Sequence, residues 1–416
     1  MPAGTGAGAP ASEASSLVLE HVAVVDVVRG RTLPDRTVVV QGGRIVSVDS
    51  TRAERAGALD LTGRWLLPGL IDTHVHVATD PAGFDRDAQS ALEWAFRSGV
   101  TSVRDMAGDT RALVELARAA ADSTVAAPTL VYSALVAGPT FFDDPRPQAS
   151  ARGAVAGQVD WMQAVTPDSD LTEVMARARA TGATGLKIYA DLPAAELGPL
   201  VDAAHAAGLQ VWSHAVTYPG RPSDVVRAGP DVVSHAYYLV WELAETVPFG
   251  YAAGRAALGA PDAAGPPPTD APALDAVFDA MAARGIVLEP TLTVVNGDSP
   301  FAWLRGWASA VTARAHARGV TIVAGTDRMV DRDTRRSNLP DELLYLVRDA
   351  GFTPAEALRA ATVDAARALG REGQVGRIAP GFRADLVVLD ANPLEDVAAV
   401  RAVDRVIKAG HVHEVR

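Results

Sequence analysis

Apolar residues follow two regimes along the chain. Near both ends they alternate with polar residues or gather in Val-rich runs. These are "LVLEHVAVVDVV" and "RTVVVQGGRIVSVDS" within residues 17–50, then "GQVGRIAPGFRADLVVLDAN" and "VDRVIKAGHVHEV" near the C-terminus. A Gly42–Gly43 turn signal and scattered Gly and Pro break them, which predicts short β-strands pairing into one small sheet domain. Between the ends, continuous apolar runs recur at 65–76, 100–108, 128–138, 185–190, 209–215, 231–236, 285–292 and 319–327. Ala-rich stretches of helical period separate them, such as "DLTEVMARARATG" and "APALDAVFDAMAARG". Continuous runs suit parallel strands buried on both faces. Eight strand–helix repeats predict an α/β fold, a TIM-type (β/α)8 barrel.

Two long segments interrupt the repeats, 138–169 after the third run and 237–270 after the sixth. Both leave the C-terminal ends of strands, where barrel active sites are built. Near the end, "TPAEALRAATVDAARALG" predicts a helix pair opening on a Thr N-cap with Pro in the first turn.

The ends of the barrel runs carry the chemistry. The first closes on His74-Val75-His76, the fourth holds Lys187, the fifth ends on His214, the sixth on His235 and the eighth on Asp327. Residues i and i+2 share a strand face, so His74 and His76 point the same way. A histidine at one strand end is more often a hydrogen-bonded structural residue than a ligand. An HxH pair alone is also weak: His411-Val412-His413 repeats the spacing on the last β-rich run, outside the barrel. His205 and His316 fall in helical patterns and His21 in the first sheet. The remaining four histidines all end barrel strands, with Asp327 and Lys187 in register.

Four imidazoles and a carboxylate suit Zn²⁺ or a similar divalent ion. A lysine ammonium beside two dications would be repelled, and its pKa depressed. The neutral amine can take up CO₂ as a carbamate, an anionic group able to place one oxygen on each of two metals. That arrangement predicts two divalent metal ions, Zn first, with a carbamate on Lys187 and a water between them whose pKa falls toward neutrality.

Around this centre, Tyr189 and Tyr237 each follow a metal-site residue by two positions. Each is either a hydrogen-bond donor to a developing oxyanion or a packed barrel aromatic. Arg328 is either a bidentate partner for a substrate carboxylate or a solvated loop arginine. Asp72 either orients a ligand or makes a structural hydrogen bond. Phe141, Phe142 and Trp161 in the first insertion, and Trp241 and Tyr251 in the second, either line a pocket or pack the loops down.

Composition narrows the partners. The 416 residues are 48% hydrophobic, an ordinary globular balance, and carry a formal net charge of -12 with no long basic run, which argues against nucleic acid. The chain has no cysteine, so disulfides and thiolate metal sites are excluded. No apolar run approaches the roughly 20 residues of a membrane span. The opening "MPAGTGAGAPASEASS" reads as a disordered tail over 1–16. The expected partner is a small-molecule substrate, with no nucleic acid and no membrane, and a homo-oligomer is compatible with the sequence. A cytoplasmic location is expected, although a trimmed secretion signal would read the same way.

At "PGLIDTHVH", "GLKIYA", the two "SHA" tripeptides ending on Ala215 and Ala236, and "AGTD", the chain resembles the amidohydrolase superfamily. "PGFRADLVVLD" and the helix pair before it extend the resemblance from about residue 17 to the end. It implies a distorted (β/α)8 barrel over 65–372 and a β-sandwich from 17–64 plus 373–416. It also implies roles: His74 and His76 on the more buried metal, Lys187 as carbamylated bridge, and His214 and His235 on the more exposed metal. Asp327 would bind the first metal and shuttle the proton from a bridging hydroxide to the leaving nitrogen. Deaminase-type members carry a Glu three residues after the fifth-strand histidine, where this chain has Thr217. With Lys187, that favours a two-metal hydrolase similar to prolidase-like and N-acyl amino acid-cleaving members over a deaminase or imidazolonepropionase-like enzyme. Such members often carry a Gly-rich, His-containing loop after the third strand; this chain has "GPTFFDDPRP". The expected activity is hydrolysis of an amide or peptide-like C–N bond. A cyclic imide, lactone or phosphotriester is the alternative within that chemistry, and a metal-containing binding protein the alternative outside it.

Overall fold

The computed structural model describes residues 16–51, 55–79, 84–259, 265–297 and 299–415. The expected N-terminal tail lies, up to residue 15, outside the described residues. Strands from both chain ends pair in one eight-stranded mixed sheet. Ser16–Asp26 runs antiparallel to Arg31–Gln41, which turns through Gly42 and Gly43 into Arg44–Ser50. Both glycines take positive φ, 54° and 76°, as the tight turn demands.

Alternation within this sheet sorts side chains to two cores. Leu66, Leu386 and Val388 face a small core with Leu19, Val38 and Ile45. Leu67, Val387 and Leu389 face the large core of the barrel. Lys408 ties the two units further: its buried ammonium donates to the carbonyls of Ala120, Asp122 and Ala127, at the end of a barrel helix.

The middle of the chain forms a nearly closed parallel barrel. Leu70–Val75, Val100–Asp105, Thr129–Ala137, Gly185–Ile188, Gln210–His214, Val232–Ser234 and Val287–Glu289 pair side by side in that order. The apolar run at 65–76 proves to be two strands. Trp65–Pro68 pairs with Leu386–Leu389 in the end sheet, and the chain crosses at Gly69 to open the barrel. Gly69 permits the crossing, because a Cβ there would lie 2.1 Å from Thr101 Oγ1.

The eighth run is less regular than its pattern predicts. It pairs through a single bridge, Leu288 to Ile322, and closes the barrel where Thr73 N donates to Ala324 O (3.1 Å) and Asp327 N to His74 O (2.8 Å). Gly325 lets the run pass close to its neighbours: a Cβ there would come within 2.8 Å of both His74 Cβ and Glu289 Oε1. The expected helix pair is Pro354–Ala360 and Val363–Ala368, with Thr353 in a capping box with Glu356. Among the described residues no helix is long and apolar enough to cross a membrane.

Candidate metal centre and active site

The strand ends bring the six sequence-selected residues into one buried cluster at the C-terminal rim. His76 Nε2 lies 3.0 Å and His74 Nε2 3.5 Å from Asp327 Oδ1, and His235 Nδ1 is 3.9 Å from Asp327 Oδ2. The His235 ring is 4.9 Å from that of His74 and 4.8 Å from that of His214. Lys187 has no exposed surface; its ammonium donates to Ser234 Oγ at 3.4 Å. His235 and Asp327 take left-handed φ, 75° and 53°. Such strain survives only where the surroundings over-determine it, as at functional sites.

Ligand atoms of His74, His235 and Asp327 lie within 4.8 Å of one another, a grouping that can hold a metal ion. The donor chemistry fits such a group. His214 Nδ1 is buried and meets no hydrogen-bond partner, the condition of a nitrogen kept for a metal. Burial, with Lys187 and His235 nearby, holds the His214 imidazole neutral, which is its ligating form. Burial disfavours the Asp327 carboxylate, but His74 and His76 outweigh it and keep it ionised well below the usual range. Burial draws the Lys187 ammonium down to about 7 against the pull of Glu289 and Asp327.

Glu289, which sequence reasoning passed over, organises the cluster from below. It is fully buried at the end of the seventh strand. It accepts hydrogen bonds from Thr73 Oγ1, from Ser234 Oγ (2.8 Å) and from Arg104 Nη2 (2.8 Å), and its Oε2 lies 2.5 Å from His74 Nδ1. Burial would raise its pKa, but Arg104 and His74 hold it well below the carboxylate range. An ionised carboxylate only accepts, so His74 Nδ1 carries a proton toward Glu289 and the ring is held in one orientation. Arg104 is itself buried, donating to Thr73 O and Ala368 O and lying 4.4 Å over the Trp212 ring. Asp105 accepts from Val77 N and Gly108 N and so shapes the turn after His76. All three stand in the apolar runs "VTSVRDMAG" and "GIVLEPTL"; a charge inside a buried run is the signal that singled out Lys187.

The other candidates divide. Asp72 accepts from Thr326 N, Thr326 Oγ1 and His74 N, joining the first and eighth strands. It touches backbone, not the His74 ring, and burial pushes its carboxyl up to about 8. Tyr189 is half-buried, 4.1 Å from the His214 ring, and lines a cavity with His76. Tyr237 is buried and stacks on Phe301 at 5.3 Å. Arg328 is exposed beside Asp327; its guanidinium lies over Gly297, where a Cβ would be 2.8 Å from Nη1.

The first insertion buries Phe141 against Tyr189 and Tyr251. The second brings Tyr251 over His214. Asp191 joins the two insertions, accepting from Tyr251 N at 2.6 Å and Thr140 Oγ1 at 2.7 Å. Trp161 lies under Arg111, and Trp241 packs edge-on to Tyr218. Thr217 donates its hydroxyl to Leu192 O (3.0 Å) and offers no acid to the centre. His411 and His413 stay in the end sheet, where His413 Nε2 meets Ser123 O at 2.7 Å.

Known proteins resemble the chain at every level. Ochratoxinase of Aspergillus niger is 26% identical over 392 residues, covering 83% of this chain and 75% of that protein. Imidazolonepropionase of Streptomyces griseus subsp. griseus is 29% identical over 382 residues, covering 86% of each. A prolidase solved with N-methylphosphonate-L-proline superimposes with a TM-score of 0.74 at 25% identity, covering 96% of this chain and 100% of that one. The family model described as "Amidohydrolase family" matches residues 65–413, from the last strand before the barrel to the final strand of the end sheet. With the barrel, the rim cluster and a family match over that span in agreement, the chain belongs to the amidohydrolase family.

Proposed function

We propose that the protein is a metal-dependent hydrolase that cleaves an amide or peptide-like C–N bond. The observation that carries the reading is the convergence of four imidazoles, Asp327 and the buried Lys187 on one rim. His74 and His76 would hold one divalent ion, Zn first, and His214 and His235 a second, with Asp327 on the first. Bound there, two ions would polarise the substrate carbonyl and acidify the attacking water. Lys187 would serve as a carbamate: its neutral amine adds to CO₂, one proton leaves, and the amine becomes an anion matched to two cations.

The chain's own groups then divide the work. Asp327, held ionised, takes the proton of the attacking water and returns it to the leaving nitrogen. Glu289 keeps His74 oriented and protonated at Nδ1. Tyr189, 4.1 Å from the His214 ring and in a cavity wall with His76, would donate its phenol to the carbonyl oxygen as charge develops. Cleavage of a peptide-like bond accords with the name of the prolidase whose structure the chain resembles. Thr217, bonded to backbone in place of an acid, disfavours the imidazolonepropionase alternative.

A panel of small amides and esters assayed with the metal-loaded protein and with Asp327→Asn tests the reading. Amide hydrolysis by the first and background rates from the second are expected. Equal rates in both would overturn it.

A further inference from the structure

Two cavities meet at His76, and their walls differ in kind. One, of about 380 Å³, runs from His76 toward the ends of the second, third and fourth strands, to Tyr189. Its walls are mainly apolar, with Met106, Leu135, Phe141, Pro147 and Met162. The other, of about 560 Å³, runs from His76 along the residues that follow the eighth strand, Arg328 to Arg332. Its walls are mixed and more polar than those of the first: Asp87, Asp331, Arg332 and Asp341 stand beside Val77, Ala88, Met329 and Val330. Among the described residues, His76 is common to both. The apolar chamber is pre-formed. Phe141 is 5% exposed and packs on Tyr189, while Met162 is 2% exposed on a short strand paired to the third barrel strand. Arg146, the one charged side chain besides His76 on its wall among the described residues, pairs with Asp144 at 2.6 Å.

Resting on the hydrolase reading, we infer that the substrate is an amide with one apolar half and one polar half. The scissile bond lies over His76 and Asp327, the apolar side group fills the chamber of Met106, Leu135 and Met162, and the polar half lies toward Arg328 and Asn338. An apolar group gains by leaving water for the first chamber and would leave charged groups poorly solvated in the second. Differences of one methylene in such a pocket change rates by roughly 10–200-fold, so the preference should be large.

Ala149 gives the test its handle. It lines the apolar chamber but stands exposed on the helix Pro145–Ser150, so Ala149→Phe fills the chamber from outside without repacking the core. Three amides are compared with the metal-loaded protein: N-(3-phenylpropanoyl)serine, N-succinylphenylalanine and N-succinylserine. At least one of the first two should be cleaved about tenfold or more faster than the third, and Ala149→Phe should abolish that difference. Calorimetric binding of 3-phenylpropanoate against succinate gives a second readout that needs no turnover; the aryl acid should bind about tenfold tighter, and only to the unfilled chamber. Equal rates and equal affinities, or a preference unchanged in Ala149→Phe, would overturn the inference. Aryl-selective binding lost in Ala149→Phe, with none of the amides cleaved, would support the chamber and count against the hydrolase reading instead.

Discussion

Replacing Glu289 by Gln removes one charge and almost no volume, yet it should cost more than most surface changes combined. Glu289 and Arg104 are both fully buried and bonded at 2.8 Å. Removing the carboxylate leaves a guanidinium in the barrel interior with no counter-charge from Glu289. Breaking one partner of a buried pair costs about 3–5 kcal/mol. The backbone carbonyls of Thr73 and Ala368 still accept from Arg104, which favours the lower end, about 3 kcal/mol. An amide offers one acceptor oxygen where the carboxylate offers two, so Gln cannot serve both Arg104 and His74 Nδ1; loss of the partner at His74 lowers metal affinity about 10–100-fold. Urea unfolding of the metal-free protein reads the first effect and a competitive chelator titration the second. Adding Arg104→Met should recover part of the stability but none of the metal affinity. A single variant within about 0.5 kcal/mol of wild type would refute the claim that this pair organises the centre.

The pH dependence follows from the same carboxylate. Its folded pKa lies below its unfolded value of about 4.3, so its stabilisation is full above that pH and lost as pH falls through the folded pKa. The gap between wild type and Glu289→Gln, measured by denaturation without metal, should therefore narrow as the pH falls below about 4. Lys187→Ala should lose metal, and the native intact mass of the wild type should exceed the chain mass by one CO₂; a variant that keeps two metals would remove the bridging role. Asp191→Asn loses the anionic acceptor shared by the two insertions, which should lower stability by about 1–3 kcal/mol and speed proteolysis within 237–270; unchanged cleavage rates would count against the joint.

Much of the site was legible because barrel geometry gathers what strand ends carry. His74, His76, His214, His235 and Asp327 fall at or near the ends of apolar runs and Lys187 within one, and the parallel barrel converts that sequence register into proximity. Glu289 and Arg104 carry the same signal but pair across 185 positions, and no local pattern tells which buried charges face one another. Phe141 and Tyr251 could be named as pocket or packing residues, but not the rings they meet. Tyr251 reaches His214 through an insertion whose path depends on Asp191 and Thr140, contacts made by folding rather than by spacing. The runs misled in two places. A continuous stretch concealed the change of sheet at Gly69, and the eighth run lost its ladder where Gly325 lies against His74 and Glu289. At both positions a Cβ would have no room.

Metal dependence is the centre of the account, and one experiment reaches it directly. The protein is stripped with a chelator, its metal content measured, and its amide hydrolysis followed as Zn²⁺ is returned stepwise. Background activity is expected without metal, with activity rising with bound metal to a plateau at two ions per chain. Full hydrolytic activity in the stripped protein would contradict it.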